Sequence, residues 1–207
     1  MNAVAVTSVH EVPLATWLFT GFGPARLLAS ELGLAPGTRL FFGTNPRVLV
    51  PDALGPGDID VLAVDPAQPE HAVAIEVKRV KMLPDSYWTS LPNKLQEIAK
   101  GCKQVGLLRK IGFHRSYLLV AVVADGRERM DVNFASRGPT PALVKAVRET
   151  LGSLDFHPDV GVIVIEATQP IDKDICDAGA VGIWTHQAVT AIAQPPDLTA
   201  SIARMCA

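Results

Sequence analysis

Two apolar runs of strand length, Ile59-Asp-Val-Leu-Ala-Val64 and Ala72-Val-Ala-Ile-Glu-Val77, flank the polar stretch Pro66-Ala-Gln-Pro-Glu-His71. The pattern reads as a β-hairpin. A hairpin symmetric about Gln68 sets Asp60 opposite Glu76 and Asp58 opposite Lys78. Alternation then puts these four residues on one face with Leu62, Val64, Ala72 and Ala74. Ile59, Val61, Ala63, Val73, Ile75 and Val77 fall on the other, an apolar set fit for a core.

Directly opposed side chains in a hairpin sit roughly 4.5–5.5 Å apart at Cβ, and like charges there are destabilising. A cation between Asp60 and Glu76 would relieve the repulsion. Carboxylate oxygens suit magnesium, which takes one or two carboxylates and keeps several waters. Lys78 leaves the same face one pleat along, within reach of a water held there. Alternating charge also protects exposed edge strands from aggregation, so Glu76-Val-Lys78 gains meaning only with the Asp58-Ile-Asp60 strand and the register.

This constellation resembles the PD-(D/E)XK nuclease superfamily, whose signature is an acid starting one strand and Glu-x-Lys on the next. The literal Pro51-Asp52 is a decoy, lying before Gly55-Pro-Gly57 in a loop that cannot pair with Glu76, and Ile59 replaces the proline of the pattern. The resemblance implies an α/β fold with a restriction-endonuclease-like mixed central sheet (an αβββαβ core) flanked by helices, with C-terminal helix–strand additions. It implies a Mg- or Mn-dependent nuclease cleaving DNA in restriction, repair or phage defence. Asp60, Glu76 and Lys78 would be catalytic, with the metal on Asp60, Glu76 and the Val77 carbonyl. Asp58 is open between bridging to Lys78, binding a second metal, and replacing Asp60 if the strand slips by two. Glu31, on the helix opened by Pro24, is the positional match for an acid that joins the metal site in some members; a surface glutamate is the ordinary alternative. Lys94 and Gln104 both match an assisting residue on the long helix. The competing expectation is a nuclease-like fold that only binds or scaffolds.

The 207 residues, 48% hydrophobic and 19% charged, suit one domain with a substantial core. That core is expected over about 24–124, with an elaboration over about 140–207. A net charge of −2 argues against indiscriminate nucleic-acid coating, yet from Glu76 to Arg115 nine basic residues face three acidic ones. Lys81, Lys94, Lys100 and Lys103 in this stripe would attract phosphate, or simply solvate a helix face. Tyr87 and Trp88 beside it either stack on a base or seal the core. No apolar run has the length of a bilayer span and no basic n-region opens the chain. Cys102, Cys176 and Cys206 are too few and scattered for a disulfide framework or zinc site. They read as buried free thiols in a reducing cytoplasm. A homodimer or partner protein is left open.

Elsewhere, Leu14–Phe19 begins a helix, and Pro24–Leu32 forms another, with Leu27, Leu28 and Leu32 inward and Gly33 as its cap. Arg39–Gly43 and Arg47–Val50 read as strands. A long helix over 91–110 has Leu95, Ile98, Cys102, Val105 and Leu108 as its core face. Ser116–Ala124 is a strand buried on both faces, so helix and strand make a parallel crossover. A helix over 141–151, strands over 160–167 and 181–185, and two small helices complete the chain. Glu166 has Thr168 two residues on and does not repeat the site. His10, His71, His114, His157 and His186 show no ligand spacing.

Overall fold

The computed structural model describes residues 11–21, 23–52, 57–82, 95–125, 139, 141–169 and 179–207. Two helices open it, α1 (Glu11–Thr20) and α2 (Pro24–Glu31). Then come β1 (Arg39–Thr44), a short α3 (Pro46–Leu49), β2 (Ile59–Val64) and β3 (Val73–Met82). After these follow α4 (Leu95–Ile111), β4 (Arg115–Asp125), α5 (Pro141–Gly152), β5 (Val160–Gln169), β6 (Gly179–Gln187) and α6 (Pro196–Cys206). The six strands form one mixed sheet in sequence order. Pairings β1–β2, β2–β3 and β5–β6 are antiparallel; β3–β4 and β4–β5 are parallel, each bridged by a helix.

The hairpin has the register that a turn centred on Gln68 requires: Val61 pairs with Ile75, Leu62 with Ala74 and Ala63 with Val73. Local chemistry fixes the turn. Asp65 accepts the Ala67 N–H through Oδ1 at 2.9 Å and the Gln68 N–H through its carbonyl at 2.9 Å, an Asx turn leading into a single 3₁₀ turn at Pro69–His71.

Both faces of the sheet are covered. On one, Leu14, Leu18, Leu28 and Leu32 of the first two helices pack on Val61, Ile75, Val77, Leu119 and Ile163. On the other, α4 and α5 bury Ile98, Val105, Leu143 and Val147 against Leu118, Val120 and Val164. The hairpin's part of that second face is itself core: Leu198 and Ile202 of α6 seal Leu62, Val64, Ala72 and Ala74. Each buried leucine, isoleucine or valine among these contributes about 1.5–3 kcal/mol by leaving water.

The structure corrects several expectations. Arg47–Val50 is not a strand, because Asn45 caps a helical turn by accepting the Arg47 N–H at 3.0 Å and Pro46 supplies a preset φ at the first position. Ile59 packs with Leu49 and Leu62 rather than with Val61, since it sits where the ladder ends. Leu27 is 47% exposed, leaving Leu28 and Leu32 to anchor α2. On α4, Ile98, Val105 and Leu108 are buried as the periodicity requires, and Gly101 lies among them. One helix, not two, ends the chain; residues 188–195 run without helix. No helix of the described residues is long and apolar enough to cross a membrane.

Candidate functional site

β2 begins at Ile59, whereas β3 continues to Met82, so from Val77 onward β3 outruns its antiparallel neighbour. The join is made by a side chain. Asp60 Oδ2 accepts the Val77 N–H at 2.6 Å, where a ladder carbonyl would otherwise sit. The N–H and C=O of one strand residue leave on the same flank in an antiparallel pair, so the Val77 carbonyl is directed to the same flank as Asp60.

Glu76 and Lys78 flank that point from the second face, 1% and 8% exposed. Lys78 Nζ donates to Glu76 Oε1 at 2.5 Å and lies 3.7 Å from Oε1 of Glu11, at the start of α1. Helix α4 presses on this lysine. A Cβ at Gly101 would stand 2.7 Å from Lys78 Cγ and 2.7 Å from Leu118 Cδ1, closer than real Cβ atoms come. Absence of a side chain at 101 therefore lets the helix restrict the lysine stem.

Three carboxylates, Glu11, Asp60 and Glu76, thus surround one ammonium, and their protonation reflects it. Burial, reinforced by the charge of Asp60, raises Glu76 to about 7 despite Lys78. Burial also raises Asp60, against the opposing pull of the Val77 N–H and Lys78. For Lys78 burial is the largest single influence and lowers the pKa, but Glu76, Glu11 and Asp60 together outweigh it and the net shift is upward. With both carboxylates ionised Glu76 Oε2 is buried without a hydrogen-bond partner, and a proton held by either acid lets Asp60 and Glu76 bond to each other. A buried acceptor left unmade costs about 1–3 kcal/mol, more when charged.

That unmet oxygen, the paired carboxylates and the Val77 carbonyl fit a small hard cation. Among the described residues no three or more His, Cys, Asp and Glu side chains group as metal ligands. Two carboxylates and a carbonyl, with water completing the set, would suit magnesium or manganese rather than a closed protein cage.

Other expected site residues are placed elsewhere. Asp58 lies in an exposed bend, lining a cleft with Asn45, Pro46 and Arg47; it makes no ion pair with Lys78, and the register leaves no two-residue slip. Glu31 is exposed and accepts a hydrogen bond from Thr185 Oγ1 on the edge strand β6. The helix acid at the cluster is instead Glu11, which sequence reasoning missed; an acid opening the apolar run Leu14–Phe19 was the available signal. Lys100 is exposed and paired with Glu97 at 2.8 Å, Lys103 is exposed, and Gln104 is half-buried one turn beyond Gly101. Lys81 belongs to β3 by its backbone. Lys94, Tyr87, Trp88, His10 and Cys176 lie outside the described residues. Cys102 and Cys206 are free. Glu166 is occupied by Trp184, whose Nε1 donates to it at 3.2 Å. His71 and His114 stack with centroids 4.6 Å apart, each Nδ1 already bonded, to Gln68 Oε1 and the Ile192 carbonyl. Compared with models of known protein families the sequence matches none, and no curated protein sequence matches it.

Proposed function

We propose that this protein is a divalent-metal-dependent nuclease that hydrolyses DNA phosphodiester bonds on a restriction-endonuclease-like core. The observation that carries the reading is the buried Glu76 carboxylate, one oxygen on Lys78, facing the Asp60 carboxylate across the hairpin. The order α2, β1, β2, β3, α4, β4, with the one-turn α3 inserted between β1 and β2, supports the core. Asp60, Glu76 and the Val77 carbonyl would hold magnesium or manganese. Such an ion polarises phosphoryl oxygens and makes water a better nucleophile near neutral pH. Lys78, kept protonated by its three acidic neighbours, orients the attacking water and offsets charge growing on the phosphate. The Val77 N–H fixes the Asp60 carboxylate, and Glu11 with Gly101 fixes where Lys78 points. Free Cys102 and Cys206 thiols are in keeping with a cytoplasmic setting.

A panel of duplex, single-stranded and branched DNA and RNA, incubated with manganese, tests the reading. Cleavage by the wild type, with loss of about 10²–10³-fold in Lys78→Ala, is expected. Cleavage at the wild-type rate by both Lys78→Ala and Glu76→Gln would refute the site.

A second reading, a nuclease-like binding or scaffold subunit, rests on the Glu76–Lys78 contact itself. With Glu76 near 7 the cluster can neutralise itself by sharing one proton. Calorimetric titration with magnesium separates the two: no heat of binding at millimolar concentration favours the scaffold.

A further inference from the structure

At the turn end of the hairpin a cavity of about 130 Å³ lies among Leu34, Asp65, His71, Val73, His114 and Arg115. Val73 packs on the face that α1 and α2 cover. The cavity is thus on the side of the sheet opposite Glu76 and three residues back along β3, roughly 10 Å at strand rise. Pairing of Val73 with Arg115 starts β3 and β4 side by side, so the histidines just ahead of each strand meet. The Ile192 carbonyl can only accept, so the His114 Nδ1 that faces it at 2.8 Å carries the proton. Gln68 Oε1 faces His71 Nδ1 at 3.0 Å in the same sense. In the neutral rings each lone pair is then on Nε2, across the ring from its anchor. Neither Nε2 hydrogen-bonds to another described residue. Both rings line the cavity, His71 exposed and His114 half-buried, so an ion reaches them from water.

We propose that His71 and His114 bind one zinc-class divalent ion through their Nε2 atoms, with water in the remaining positions. A metal-binding histidine almost always gives its other ring N–H to a carbonyl or carboxylate, which fixes the ring, and both rings are held in that way. Zn–N bonds of about 2.0–2.1 Å put the ring centres of two ligands on one ion roughly 4.5–5.2 Å apart. Here the centres are 4.6 Å apart. Imidazole nitrogens select zinc, copper or nickel over magnesium, so the site is chemically distinct from the carboxylate pair and does not depend on the nuclease reading. Arg115 does not oppose the ion strongly: its guanidinium donates to the Leu32 and Gly33 carbonyls at the end of α2, and Asp65 in the same wall balances its charge. The ion would clasp the hairpin turn to the junction of α4 and β4. Through His114, which also accepts the Ile192 N–H on its carbonyl at 2.9 Å, it would secure the run that leads into α6.

The test titrates zinc chloride into the full-length protein by calorimetry and follows the melting temperature in parallel. Zinc should bind the wild type and raise its melting temperature, because a ligand held only by the folded state stabilises it. Gln68→Ala keeps both imidazoles and removes the outer partner of His71, so affinity should fall by about 10–100-fold. His71→Ala and His114→Asn each remove a ligand and should lose more than that; asparagine keeps an N–H for the Ile192 carbonyl. Glu76→Gln should bind zinc as the wild type does. No heat of zinc binding by the wild type at millimolar concentration overturns the proposal. Binding that survives both histidine replacements overturns it too, as does binding that vanishes in Glu76→Gln and persists without the histidines. Should His114→Asn not fold, His71→Ala, at an exposed position, decides alone. None of these outcomes bears on cleavage with manganese, so the nuclease reading stands or falls separately.

Discussion

Glu76 on β3 and Glu166 on β5 lie on one face of one sheet. Glu76 aligns through Leu118 with Val162, so Glu166 stands four residues further along β5. Their surroundings differ in kind. Glu166 is half-buried and receives the Trp184 indole N–H, and the Trp184 ring is in turn covered by the Arg148 guanidinium at 4.3 Å. Glu76 is almost wholly buried and faces a second carboxylate, Asp60, to which it can bond only through a proton that the two share. A buried acid whose hydrogen bonds are complete explains itself by stability. One held beside a second carboxylate, its pKa raised by burial and by that neighbour, is the kind of group found at functional sites.

Activity should separate the two glutamates most widely. Glu76→Gln is expected to lower manganese-dependent cleavage on the order of 10³-fold, whereas Glu166→Gln should leave the initial rate within experimental scatter. Similar losses in both would erase the distinction. Stability against pH separates them next. In the folded metal-free protein Glu76 holds its proton up to about 7, against an ordinary 4.5. Between those values the folded state binds the extra proton, so stability is highest at the acid end and falls as pH rises. The integrated loss is on the order of 3 kcal/mol, measurable by urea denaturation at pH 4.5 and 7.5. Glu76→Gln should flatten this dependence. The smallest effect sharpens the contrast through glycines. Gly101→Ala drives a methyl against the Lys78 stem, an overpacking cost of about 1–3 kcal/mol partly offset by about 1 kcal/mol of helix propensity, and should slow cleavage. Gly182→Ala places its Cβ 3.7 Å from Glu166 Oε2, an ordinary contact, so a melting curve should show no loss.

Much of this arrangement is legible in the residues. Proline and polar turn chemistry around Gln68 fix the hairpin register, and register alone aligns Asp60 with Glu76. The apolar run Ser116–Ala124 demands cover on both faces, and α1, α4 and α5 supply it. What escapes the sequence is tertiary. Val48, Leu49 and Val50 suggest a strand, yet Asn45-Pro46 starts a helical turn there, because capping and a preset φ act locally while strand pairing needs a partner. Residues 1–12 read as an irregular arm or an edge strand, yet α1 starts at Glu11, where an acid suits a helix N-terminus; nothing in that stretch says that it docks beside Lys78. Glu31 satisfies the expected position along the chain, but α2 turns it toward Thr185.

Asp60 holds the Val77 amide at the place where β2 stops. The same carboxylate that would grip a metal is therefore also a stitch in the backbone pairing, formed as the chain folds. Its rotamer is chosen before any ligand arrives, so the ordering entropy of this donor is spent in folding and not in capture. Lengthening the side chain by one methylene, Asp60→Glu, would keep the charge and lose the stitch.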